Sequence, residues 1–236
     1  MQVVIRKDMM LELVIQPDGT PFKFAPKMVA LVSYSGRDRA AVKHHIDELA
    51  RIGVPPPKSV PEVYTVTTDR FTSGTAIAVL HGETSGEIEF AILIHGAERY
   101  IAVASDHTDR RNEKLDVGIS KQLVRRVISA NVWRLADVAE HWDAILMRSY
   151  SFENGERTAY QSGATAALMK PADIIETASR KSRAALENAI VFSGTLPVIG
   201  GRLRCGSRFE VELIDPILKR SLSAGYDVIV EDWYRE

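Results

Sequence analysis

The sequence predicts an α+β fold that is mostly β. Strand patterns dominate from Val63 to Ser105 and recur at both ends of the chain. Helical periodicity is confined to a few segments, chiefly "SGRDRAAVKHHIDELARIG" and "KPADIIETASRKSRAALE". Helices are thus inserted among strands rather than alternating with them, which favours an antiparallel or mixed sheet with peripheral helices.

In chain order, "LELVIQ", "PDGT" and "PFKFA" read as strand, turn and strand, with Pro17 and Gly19 supplying the turn dihedrals. Residues 1–26 are expected to be an N-terminal β-hairpin extension ahead of the main domain over 27–236. "KMVALVSY" is the next strand. The helix after it carries an apolar stripe of Val42, Ile46 and Leu49, edged by Ala41 and Ile52, and stops at Gly53. "VPPPKSVP" must be extended, because proline disfavours helix at and before itself. "SKQLVRRVI" fits a strand or a short helix, and "RLADVAEHW" reads as helical. Asn154-Gly155 marks "AILMRSYSFENGERTAYQ" as a hairpin with a type I′ turn. Pro171 sits near the start of the second long helix. "AIVFSG", "RFEVELID" and "DVIVEDWY" close the chain as strands.

Composition narrows the function. With 236 residues, 45% of them hydrophobic and 26% charged, there is ample material for a core. A net charge of −1 with no long basic run argues against a nucleic-acid partner. No stretch approaches about 18 consecutive apolar residues, so no membrane span is expected, and the N-terminus lacks the apolar core of a signal peptide. The single Cys205 rules out an internal disulfide and suggests a reducing compartment. A cytoplasmic protein handling small molecules is the expectation.

Three carboxylates stand out. In "SGEIEFAILIHG" Glu87 and Glu89 share one strand face with Ala91 and Leu93, while Ile88, Phe90, Ile92 and Ile94 fill the other. The next strand, "YIAVAS", runs into Asp106. Carboxylate oxygens are the hard donors suited to Mg²⁺, Mn²⁺ or Ca²⁺, and a cation removes the repulsion that would otherwise force protonation. The spacing alone is not decisive, because "RFEVELID" repeats it with Glu210 and Glu212 on what reads as a solvated face. On the first long helix, at about 100° per residue, His45 falls beside Leu49 and Ile52. Glu48, three residues on, can orient that imidazole and raise its basicity. His44 falls on the polar side. Gly194 and Thr195 in "FSGTLP" offer close backbone approach and a hydroxyl at a strand end. No nucleophile elbow, Walker A loop, dinucleotide glycine motif or zinc-type Cys/His spacing is present.

Taken in order, the helix with His-x-x-Glu after "SGRD", the Glu-x-Glu, "SDHTDR", the lysine of "SKQ", the Asn-Gly hairpin and "SGTLP" resemble the fumarylacetoacetate hydrolase superfamily. The resemblance runs from about Lys27 to Val230 and implies a mixed β-roll, usually a homodimer. It implies Mg²⁺ or Mn²⁺ on Glu87, Glu89 and Asp106, a His45–Glu48 dyad on a mobile lid helix, and Lys121 near the metal. It also implies substrate contacts from Arg37, Gly194 and Thr195. The stretch between Arg37 and the histidines is longer than in the family, which leaves His44 as the alternative dyad member. The implied activity is metal-dependent hydrolysis of a C–C bond in a small anionic oxo acid of the 1,3-dicarbonyl or acylpyruvate type. Decarboxylation, hydration or isomerisation of a related oxo acid, or ligand binding without turnover, are the alternatives on the same scaffold.

Overall fold

The computed structural model describes residues 10–233. The sequence-based reading of the first nine residues lies outside that range. The chain opens with β1 (Leu11–Gln16), β2 (Thr20–Phe24) and β3 (Met28–Ser33), then α1 (Arg39–Arg51) and β4 (Glu62–Val66). Short strands β5 (Phe71–Thr72), β6 (Ala76–Val79) and β7 (Thr84–Ser85) lead to the long pair β8 (Ile88–His95) and β9 (Glu98–Ser105). β10 (Thr108–Asp109), α2 (Arg110–Glu113), α3 (Val117–Leu123), β11 (Arg126–Ile128), β12 (Asn131–Arg134) and α4 (Leu135–Val138) follow. The remainder is β13 (Leu146–Glu153), β14 (Glu156–Ala164), α5 (Pro171–Lys181), β15 (Ala189–Phe192), β16 (Arg208–Asp215) and β17 (Arg220–Val230).

A ten-stranded mixed sheet has the path β2-β1-β12-β9-β8-β15-β3-β4, with β11 and β5 attached beside β9. A five-stranded sheet, β14-β13-β16-β17-β6, packs against it. The N-terminal hairpin lies in the large sheet, because β1 pairs in parallel with β12. Asn154 and Gly155 both take positive φ, as a type I′ turn requires, and join β13 to β14.

β8 is buried on both faces. Ile88, Phe90, Ile92 and Ile94 enter the core between the sheets with Met147, Val211 and Leu213. Ala91 and Leu93 pack into the other core with Leu11, Leu13 and Phe24. The central strand therefore reads as nearly continuous hydrocarbon.

Three boundaries differ from the sequence reading. "SKQLVRRVI" is neither one strand nor one helix: α3 ends at Leu123, and β11 begins at Arg126 to pair with β5 and β9. The second long helix stops at Lys181 rather than Glu187, because Ser182 turns extended (φ −84, ψ 142) and its hydroxyl bonds to the Ala184 carbonyl. Only the first half of "RLADVAEHW" is α-helical, and a 3₁₀ segment over Ala139–Ala144 completes it. No described helix is long and apolar enough to cross a membrane.

Candidate metal centre and active-site cavity

The β8–β9 hairpin register builds the acidic cluster. A tight turn at Gly96 and Ala97 sets Ile88 opposite Ser105, and the pairing continues one step further, with the Asp106 amide donating to the Glu87 carbonyl at 2.9 Å. Glu87 and Asp106 are thus cross-strand neighbours just beyond the two strand ends, and Glu89 follows on the same face. One carboxylate oxygen from each lies within 4.8 Å of the other two. Among the described residues no other cluster of three His, Cys, Asp or Glu comes so close. Glu210 and Glu212 share the spacing, but Glu210 pairs with Arg157 at 2.9 Å and no third carboxylate joins them.

The cluster is embedded in cations, of which the motif order had implied only Lys121. Arg110 donates to Glu87 at 2.8 Å and to Glu113 at 2.9 Å. Lys121 Nζ contacts Asp106 Oδ2 and lies 3.4 Å from Glu87 Oε2. Arg126 is fully buried, with Nε 2.7 Å from Asp106 Oδ1, though misaligned for a hydrogen bond, since neither atom has a partner by that criterion. Burial pushes the Glu87 carboxyl up, but Arg110 and Lys121 outweigh it and hold Glu87 down at about 2. Glu89 has no cation of its own. Burial and then repulsion by Asp106 raise it well above the usual carboxylate range, although the Gly194 amide donates to it at 2.8 Å.

That imbalance is the test of fit for a divalent ion. Glu87, Asp106 and Glu113 are each paired with Arg110, Lys121 or Arg126, and the uncompensated charge falls on Glu89, within 4.8 Å of the Glu87 and Asp106 oxygens. A hard cation on Glu87, Glu89 and Asp106 answers that imbalance. The residues fit Mg²⁺ or Mn²⁺.

Glu87 and Glu89 line a cavity of about 590 Å³, bounded on one side by α1, with Asp106 buried behind them. Asp38 caps that helix by accepting from the Ala40 and Ala41 amides. Of the apolar stripe only Val42 is buried, so Leu49 and Ile52 face the cavity rather than protein. His45 and Glu48 line it and His44 does not. Glu48 Oε2 is 3.9 Å from His45 Nδ1 and 3.6 Å from His44 Nδ1, with all three side chains about half exposed or more.

A family model described as "Protein of unknown function (DUF2848)" matches residues 32–226. The chain belongs to that family. No curated protein matches it. Among solved structures, fumarylpyruvate hydrolase from Pseudomonas aeruginosa in complex with Mn²⁺ and pyruvate is 18% identical. Its TM-score is 0.66, covering 98% of this chain and 100% of that one. A 2-keto-3-deoxy-D-arabinonate dehydratase complexed with magnesium and 2,5-dioxopentanoate is 15% identical, with a TM-score of 0.63 over 92% of this chain and 78% of that one. A fumarylacetoacetate hydrolase from Exiguobacterium antarcticum is 17% identical, with a TM-score of 0.56 over 90% and 79%. The fold is that of the fumarylacetoacetate hydrolases, the roll that the motif order implied.

The three residues expected to contact substrate all line the cavity, yet their donors are already engaged. Arg37 is bidentate to Asp143 at 2.8 and 2.6 Å and donates through Nε to the Leu168 carbonyl. Thr195 spends its hydroxyl proton on the Ile88 carbonyl at 2.7 Å. Gly194 spends its amide on Glu89. In this arrangement they shape the site rather than offer free donors.

Two further residues emerge only in three dimensions. Gln161 accepts from the Ile88 amide at 2.9 Å and donates to Thr195 at 2.8 Å, tying β8 to the 193–198 segment. Tyr34 lines the cavity from a left-handed backbone conformation (φ 58), which is costly for a bulky residue. Burial and then nearby Tyr64 and Glu113 push its phenol up, so it remains a proton donor. The sequence did carry a signal for Arg126, a lone arginine in the otherwise apolar "VRRVI" once Arg125 is assigned to the surface.

Proposed function

We propose that the chain is a Mg²⁺- or Mn²⁺-dependent hydrolase that cleaves the C–C bond of an acylpyruvate-type 1,3-dicarbonyl acid. One observation carries this reading: Glu87 and Glu89, clustered with Asp106, line the same cavity that His45 and Glu48 line from α1. When bound there, the divalent ion supplies a Lewis acid for adjacent oxo and carboxylate oxygens.

His45 takes a proton from water, and Glu48, 3.9 Å from its Nδ1, orients the imidazole. The water oxygen adds to the distal carbonyl, and the bond from that carbonyl to the central methylene breaks. Its electron pair leaves with the pyruvate portion as an enolate, and protonation at carbon yields pyruvate and a carboxylic acid. Lys121, held by Asp106 and Glu87, keeps a positive charge beside the developing enolate. Burial lowers its affinity for the proton, but Asp106 and then Glu87 more than restore it, so the ammonium stays charged. The Tyr34 hydroxyl is the donor left to orient a substrate oxygen.

The test is a metal-stripped preparation assayed with 2,4-dioxopentanoate, oxaloacetate and unsaturated oxo acids, before and after adding Mg²⁺ or Mn²⁺. Pyruvate and acetate released from the first, only with metal, supports the hydrolase. Turnover confined to the others reassigns the reaction, and activity unaffected by chelation refutes the metal. The same reading carries a cytoplasmic homodimer, which light scattering and localisation would test.

A further inference from the structure

Resting on that reading, we infer that the substrate is a monocarboxylate whose distal acyl arm is uncharged and apolar. The charges lining the cavity point there first. Asp38, Glu48, Glu87, Glu89 and Glu113 line it, against the permanent cations Arg37, Arg110 and Lys121. Each cation is committed: Arg37 to Asp143, Arg110 to Glu87 and Glu113, Lys121 to Asp106. A divalent ion adds enough positive charge for one substrate carboxylate and the oxo oxygen next to it. Among the described residues that line the cavity, no permanent cation remains for a second carboxylate at the other end. A diacid would bring its far charge against hydrocarbon and a lining that carries more carboxylates than cations, where a charge without a partner is disfavoured.

Hydrocarbon is what the rest of the wall offers. α1 contributes Leu49 and Ile52, and the segment after β15 contributes Leu196, Val198 and Leu203. Ile52 is 53% exposed, so the chain's own residues leave this surface uncovered. Each methylene of a ligand arm buried against it strengthens binding about fourfold, the factor equivalent to about 0.8 kcal/mol.

The experiment compares 2,4-dioxoheptanoate with 2,4-dioxoheptanedioate on the metal-loaded protein. The two acids share one carbon chain and differ in a terminal methyl against a terminal carboxylate. Both kcat/KM and the ligand-induced shift in Tm are measured, so that binding is read apart from turnover. We expect at least a tenfold preference for the monoacid in both readouts. Ile52→Lys, at an exposed position that tolerates charge, should narrow that preference by tenfold or more. Equal or better use of the diacid overturns the inference and leaves the hydrolase reading standing. Selective binding of the monoacid without cleavage supports the inference and overturns the hydrolase reading. Failure of both acids to bind overturns both, and an unchanged ratio in Ile52→Lys overturns the placement of the arm on this wall.

Discussion

Replacing Gly194 by Ala should destabilise the protein and weaken the divalent-ion binding proposed for its acidic cluster together. The glycine sits at φ +82, and an added Cβ would lie 2.8 Å from the Val32 carbonyl and 2.5 Å from Ser35 Oγ. Val32 belongs to β3, which is paired on both sides by β4 and β15, so its carbonyl has no room to retreat. Left-handed backbone in a non-glycine residue costs roughly 1–2 kcal/mol, and overpacking adds roughly 1–3 kcal/mol. The total is about 2–5 kcal/mol, or a Tm lowered by roughly 4–20 °C for a chain of this size. Gly155→Ala is the control, since that residue has φ +80 and nothing within 4 Å of its added Cβ. It bears the conformational cost alone, about 1–2 kcal/mol. Thermal unfolding of both variants in excess EDTA isolates the steric part. A Mn²⁺ titration then reads the displaced Gly194 amide, which holds Glu89. If Gly194→Ala is no worse than Gly155→Ala, the segment relaxes freely and the argument from a rigid β3 is wrong.

Other expectations follow from the same geometry. Glu89→Gln should weaken Mn²⁺ binding sharply, because a neutral amide replaces a charged oxygen donor. Glu212→Gln should leave binding intact and change stability by less than about 0.5 kcal/mol; equal affinities would show that the wrong pair was chosen. His45→Ala should lower kcat by roughly 10²- to 10⁴-fold with fold and metal retained, whereas His44→Ala should be nearly silent; reversed effects would move the dyad to His44. Asp215 is fully buried, and although burial pushes its carboxyl up, the Leu218 amide and His141 bring it below 3.8. The unfolded chain therefore binds the proton more tightly, so this stability is present above about pH 4 and is lost as pH falls through the folded value. Asp215→Asn should flatten that acid limb in urea titrations between pH 5 and pH 3, and an unchanged slope would remove Asp215 as its source.

Much of the site was legible because the hairpin is local. Continuous hydrocarbon made β8 readable as a strand buried on both faces, and the two glutamates at its start stood out against it. The spacing recurs at Glu210 and Glu212, however, and only the ordered motifs singled out the first pair. The His45–Glu48 spacing likewise needed only helical periodicity, and the ordered motifs named the fold. What the chain alone could not show is which charges answer which. Arg110, Lys121 and Arg126 reach the cluster from three different elements, and their meeting depends on how α2, α3 and β11 fold back over the β8–β9 ends. The occupied donors of Arg37, Gly194 and Thr195 were equally invisible, since each is satisfied by a partner far away in sequence. Sequence periodicity determined where side chains point along each strand and helix, because that is backbone geometry. Only tertiary packing decided which of those polar groups remain free for a ligand, because a buried donor takes the nearest acceptor wherever the fold has brought it.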